Sequence, residues 1–298
     1  MLKRIFLPWL LYLAILPGAH PALAQPAVVT SIKPLQLIAA AVLDGVAQPA
    51  VLIPSNQSPH HHVLRPSDVA LVDQANLVLW VGEPLETYLE NLFSNLRGTT
   101  TVIEASSLSG VRLQASGGEP LPDNELRYDA HLWLNSANAL RIAEALAFEL
   151  AALDAANATR YAANLAQFRE LIERTDTELL ARTAALAGVE YAVFHDGIAY
   201  FEQQFGLRHQ LVLVPDHENQ PGARHLMQVQ RTMQERPPAC LLEDVNTNPA
   251  TVNTVLQDLE VRRVRIDPLG SSLSVDKQGY ALLLTSLADA FDECLSAR

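Results

Sequence analysis

The chain has 298 residues, 49% of them hydrophobic, with 21 basic residues against 33 acidic ones and a formal net charge of −12. A length and hydrophobic share of this kind bury one large core or two moderate ones, and two lobes are expected. The acidic balance argues against nucleic acid as a partner; it suits the accumulation of cations and, equally, the solubility of an exported protein.

Lys3 and Arg4 precede an apolar stretch from Ile5 to Leu16, and Ala22-Leu23-Ala24 has the small-residue spacing of a cleavage site, so residues 1–24 are predicted to be a secretory signal peptide. Its removal makes the formal charge two units more negative. No later run reaches the roughly 20 apolar residues that a membrane span requires. The mature chain is therefore expected outside the cytoplasm, without a transmembrane segment.

Strand-like runs at Ala27 to Ser31, Ala50 to Ile53, Leu77 to Val81 and Thr100 to Glu104 alternate with helical stretches at Leu35 to Leu43, Pro66 to Gln74 and Leu85 to Leu96. This alternation predicts an α/β lobe over residues 25–153, with a mostly parallel sheet covered by helices. Ser106 to Ala130, with Gly117-Gly118, Pro120 and Pro122, reads as a surface loop. Helices resume at Ser136, and residues 154–187, free of Gly and Pro, read as one long rigid linking helix ended by Gly188.

A second α/β lobe is predicted over residues 188–298. Its strands are Tyr191 to Phe194, Gln210 to Val214, Cys240 to Glu243 and Val261 to Ile266. Its helices are Ile198 to Phe205, Ala223 to Glu235, Pro249 to Leu259 and Asp276 to Cys294. Cys240 and Cys294 can form a bridge in an oxidising compartment, worth about 4 kcal/mol by the chain-entropy argument; two buried thiols are the alternative.

The candidate site rests on histidines. His60, in the run Pro59-His60-His61-His62, follows a strand of the first lobe; His131 precedes the helix that ends that lobe; His195 follows the first strand of the second lobe. Ligands of open α/β sheets gather at the carboxyl ends of strands, and Asp267 occupies the matching position after the last strand. Three neutral imidazoles with Asp267 or water in a fourth position make a zinc site. Taken singly, His131 reads equally well as a hydrogen-bonded core residue. His61 and His62 are expected to steady the loop or serve as auxiliary ligands, and His209, His217 and His225 to be ordinary satisfied or surface residues. Asp216-His217-Glu218 is a metal-like triplet in a Pro- and Gly-rich loop, and Asp196 is expected to be a partner of His195 or a loop residue.

Seven segments carry a family resemblance: SIKPL (31–35), SPHHHVLRPSD (58–68), ANLVLWVG (75–82), DAHLWLN (129–135), VFHD (193–196), QPGARHL (220–226) and DPLG (267–270). In order, over essentially the whole mature chain, they resemble the zinc-binding ABC-importer proteins of the ZnuA type. The resemblance implies a periplasmic, monomeric, two-lobed binding protein, not an enzyme, that captures Zn2+ in the interlobe cleft and delivers it to a membrane permease driven by an ATPase. By motif it implies His60, His131 and His195 as ligands, Asp267 as the carboxylate position used by some relatives, and a Cys240–Cys294 disulfide. Manganese and iron binders of the family commonly replace the third histidine by a carboxylate, so His195 favours zinc. The loop 106–130 departs from the pattern: it holds Glu119, Asp123 and Glu125 but no histidine.

Other readings are an exported zinc hydrolase, for which HExxH is lacking, a manganese- or iron-binding relative, and an adhesin with a structural metal. For the transport reading, local shifts of ligand-bearing loops are expected in place of wide lobe closure, and acid is expected to weaken binding because protonated histidine cannot ligate.

Overall fold

The computed structural model describes residues 25–96, 100–115, 128–214, 222–256 and 259–296. The predicted signal peptide, the triplet Asp216-His217-Glu218 and the acidic residues Glu119, Asp123 and Glu125 lie outside these.

The first sheet has the order β2-β1-β3-β4 and is parallel throughout, from β1 (Val28–Thr30), β2 (Ala50–Val51), β3 (Leu77–Trp80) and β4 (Thr101–Glu104). Every residue of β1 and β3 is buried, as expected of strands covered on both faces. Helix α1 (Lys33–Val42) carries Pro34, whose fixed φ suits the first turn, and is apolar almost all round because it lies inside the core. Helices α2 (Pro66–Asp73) and α3 (Glu83–Ser94) complete the crossovers.

The second sheet repeats the plan with the order β6-β5-β7-β8, again parallel: β5 (Ala192–His195), β6 (Leu211–Val214), β7 (Leu241–Asp244) and β8 (Arg263–Ile266).

Between the sheets run α4 (Ser136–Leu153) and α5 (Ala158–Thr183). Asn135 caps α4 by accepting from the N–H of Asn138 at 3.1 Å. The single helix expected over 154–187 is thus modified at both ends. At Asp154 the backbone leaves helical geometry, and its carboxylate accepts from Asn157 Nδ2 at 2.7 Å and Tyr161 OH at 2.8 Å, which closes a 3-10 turn, Ala155–Asn157, before α5 begins. At the other end a 3-10 turn, Ala184–Leu186, precedes Gly188, whose φ of 82° favours glycine. Helix α5 is roughly 39 Å long at the usual rise per residue.

Helices α6 (Ala199–Phe205), α7 (Ala223–Glu235), α8 (Pro249–Leu256) and α9 (Gly279–Leu295) complete the second half. One apolar core runs continuously from Leu35, Ile38 and Leu79 through Trp133 and Phe168 to Phe201 and Phe291. A smaller core, including Phe194, Leu213, Val229 and Val252, lies between the second sheet and helices α7 and α8. The Cys240–Cys294 disulfide ties the start of β7 to the end of α9, with Cα atoms 5.6 Å apart. Hydrogen bonds tie the halves near the cleft, among them Trp133 Nε1 donating to Pro268 O at 3.0 Å, Tyr280 OH to Trp133 O at 2.6 Å and Asn246 Nδ2 to Ser55 O at 3.2 Å. Among the described residues, no helix is long and apolar enough to cross a membrane.

Candidate metal centre

His60 sits in a 3-10 turn, Pro59–His61, that Pro59 initiates and Ser58 caps, its hydroxyl accepting from the N–H of His60 at 3.3 Å. Tyr88 of α3 donates its OH to Pro59 O at 2.8 Å, holding the turn against the first lobe. His131 opens the buried 3-10 turn Leu132–Leu134, and His195 is the last residue of β5.

These three histidines, separated in sequence by 71 and 64 positions, converge. Each offers a ring nitrogen within 4.8 Å of the others'. Ring centroids are 5.6 Å apart for His60 and His131, 6.2 Å for His60 and His195, and 5.4 Å for His131 and His195. Three imidazoles facing one point form a donor set that suits zinc.

Asp129 orients His131: its Oδ1 accepts from the backbone N–H at 3.0 Å and from ring Nδ1 at 2.7 Å. A carboxylate only accepts, so Nδ1 carries the proton and Nε2 is left for the cleft. Burial alone lowers the His131 pKa, but the Asp129 carboxylate, with Asp244 and Asp196 beyond, outweighs it and holds the ring above its ordinary value.

Gly197 closes one side. A Cβ there would stand 2.9 Å from His195 Cδ2 and 3.2 Å from His131 Nε2, so only glycine lets both rings keep their places.

The histidines line a cavity of about 260 Å³, whose walls include Trp133, Phe194, Asp244 and Asp267. Asp267 is where its position after β8 predicts, yet it falls outside the three-histidine group. Its Oδ2 accepts from Ser271 N and Ser271 Oγ, both at 2.6 Å, and its Oδ1 from Leu269 N at 3.2 Å, which stitches the loop after β8. Burial pushes the Asp244 carboxyl up to about 6, with His131 opposing that rise and Asp267 adding to it.

His62, His209 and His225 have local roles. His62 is buried, with Nδ1 2.9 Å from Gln57 Oε1 and Nε2 3.3 Å from Asp68 Oδ2, so it steadies the loop. His209 Nδ1 lies 2.8 Å from Glu202 Oε2, and His225 Nε2 lies 3.0 Å from Leu213 O. Asp129, Gly197 and Asp244 are site residues that sequence reading missed. The adjacent signals were Asp129 two places before His131, Gly197 two places after His195, and Asp244 at the end of an apolar strand.

Residues 28–294 match the family model described as zinc-uptake complex component A, periplasmic. The chain belongs to this ZnuA family. It is 34% identical over 293 residues to the high-affinity zinc uptake system protein ZnuA of Yersinia pestis, an alignment covering 92% of each chain. Among solved structures it resembles a crystal structure of ZnuA (TM-score 0.79, 22% identity, 92% of this chain and 100% of that one). The periplasmic zinc binding protein TroA from Treponema pallidum gives the same TM-score and coverages at 17% identity. These two likenesses establish the fold, and ZnuA membership places the chain among the binding components of uptake systems, not among enzymes.

Proposed function

We propose that this chain captures Zn2+ outside the cytoplasm and delivers it to an ABC-importer permease driven by its ATPase. The observation that carries this reading is the convergence of His60, His131 and His195 within 4.8 Å in one cavity. The three imidazoles hold the ion, with Asp267 or water in the fourth position. The nitrogen donor set supports zinc over manganese, which prefers oxygen-rich sites of higher coordination. Relatives named for high-affinity zinc uptake support the same cargo.

In this reading residues 1–24 are a leader removed on export to the periplasm, and the mature chain acts as a monomer. It divides into an N-terminal lobe over 25–153, a linking segment over 154–187 built on helix α5 (Ala158–Thr183), and a C-terminal lobe over 188–298. Trp133, bonded to Pro268 and Tyr280, limits relative motion of the lobes. Release then follows when docking disturbs a ligand-bearing loop, and the His60 turn, which is held by Tyr88 and Ser58, is such a loop.

A competitive zinc titration of the mature protein beside His60→Ala, His131→Ala and His195→Ala tests the capture step. The parent should bind one ion and each variant should bind far more weakly. Restoration of growth under zinc limitation by the parent, and not by the variants, tests delivery. Parent-like zinc affinity in the His195→Ala variant would remove the two-lobe site.

A further inference from the structure

Two carboxylates face the cavity, and their surroundings differ. Asp267 receives three hydrogen bonds from its own loop. Among the described residues, the side chain of Asp244 meets no donor but its own backbone N–H. The neighbouring carboxylate on β7, Glu243, is paired with Arg263 at 2.8 Å. Asp244 is thus the less engaged of the two carboxylates in the cavity wall.

Its placement is fixed by the sheet. β5 and β7 are parallel neighbours, with Ala192 beside Leu241 and Val193 beside Leu242. The same register, carried on by two residues, sets His195 level with Asp244, so both side chains leave one edge of the sheet on the same face. The backbone of this position is pinned: the N–H of Val245 donates to Ile266 O at 3.0 Å, and the N–H of Thr247 to Asp244 O at 2.9 Å. The Asp244 oxygens, like those of Asp267, lie outside the three-histidine group, a placement compatible with a link through water to an ion held there.

Three neutral imidazoles contribute no charge of their own against a divalent ion inside a cleft, where charge is poorly screened, so nearby carboxylates must balance it. We infer that Asp244 is a specificity-determining residue of this site: it accepts a hydrogen bond from the water in the fourth position on a divalent cation and balances the ion's charge. This rests on the three-histidine reading above. Asp244 is a positioning residue for that water, while Asp267 holds the shape of its loop. Burying a carboxylate that meets only its own N–H, near a second carboxylate, destabilises the metal-free protein, and the ion relieves that cost.

The test compares the mature parent with Asp244→Asn and Asp267→Asn, by competitive zinc titration and by thermal melting of the metal-free proteins. For Asp244→Asn, zinc affinity should fall by about 10–100-fold, the usual effect of removing a group behind the ligands, while the metal-free protein melts at a higher temperature. Asp267→Asn should melt lower, because its loop loses charged acceptors. Binding of Ag+, a monovalent probe of the same imidazoles, should weaken less than binding of Zn2+ in Asp244→Asn. A zinc affinity within twofold of the parent overturns the inference, as does weakened binding accompanied by a lower melting temperature, the mark of a structural role. Failure of the parent itself to bind zinc, or parent-like binding by His131→Ala, overturns the three-histidine reading and this inference together.

Discussion

Asp129 Oδ1 accepts both the backbone N–H and the ring Nδ1–H of His131, at 3.0 and 2.7 Å. One carboxylate oxygen thereby fixes the position of the residue, the tautomer of its ring and the direction in which Nε2 points. His131 neighbours both other histidines and Trp133, whose ring centroid is 5.1 Å away. The orientation of the His131 ring therefore depends on Asp129.

Asp129→Ala should weaken zinc binding by about 10–100-fold, the range for groups that orient ligating histidines. Far-ultraviolet circular dichroism of the variant should match the parent. Competitive titration with a chelator of known affinity measures the loss, and an unchanged affinity would mean that packing alone orients the ring.

Gly197→Ala places a methyl group 2.9 Å from the His195 ring and 3.2 Å from His131 Nε2. One ring must turn away, so zinc affinity should fall by at least tenfold while the metal-free protein loses little stability. The pair of measurements, zinc titration and thermal melting, separates closure of the site from damage to the fold.

Glu86, at the start of α3, is fully buried, and burial pushes its carboxyl up to about 7 although Ser31 and the N–H groups of Val81 and Gly82 oppose the shift. A folded-state value above the unfolded one stabilises the fold fully below the unfolded value of 4.5, and this contribution is lost as pH rises through about 7. The metal-free parent should lose about 3 kcal/mol from this group between those limits. Glu86→Gln, which keeps the shape without the charge, should be more stable than the parent at pH 8 and nearly equal to it at pH 4. Urea unfolding at the two pH values measures the difference; a constant difference would show that Glu86 titrates normally.

Much of the fold was legible because buried parallel strands are continuous apolar runs, as in Leu77–Trp80, and because crossover helices separate them at regular intervals. The break at Asp154 was not legible: Ala, Asn and Leu around it all tolerate helix, and only the bonds to Asn157 and Tyr161 end it there. The three histidines could be chosen from sequence because each stands at the edge of an apolar element. Gly197 and Asp244 could not, since their importance comes from the neighbours that the fold brings to them. Asp267 was placed in the cavity by its position after β8, but its engagement by Ser271 depends on the shape of a loop that has no sequence period.

Zinc-edge X-ray absorption of the mature protein loaded with one equivalent of zinc tests the central claim most directly, when it is recorded beside His195→Ala. The account predicts three imidazole nitrogens at about 2.0 Å with one oxygen in the parent, and one imidazole fewer in the variant. Six oxygen ligands, or a parent-like spectrum from His195→Ala, would contradict it.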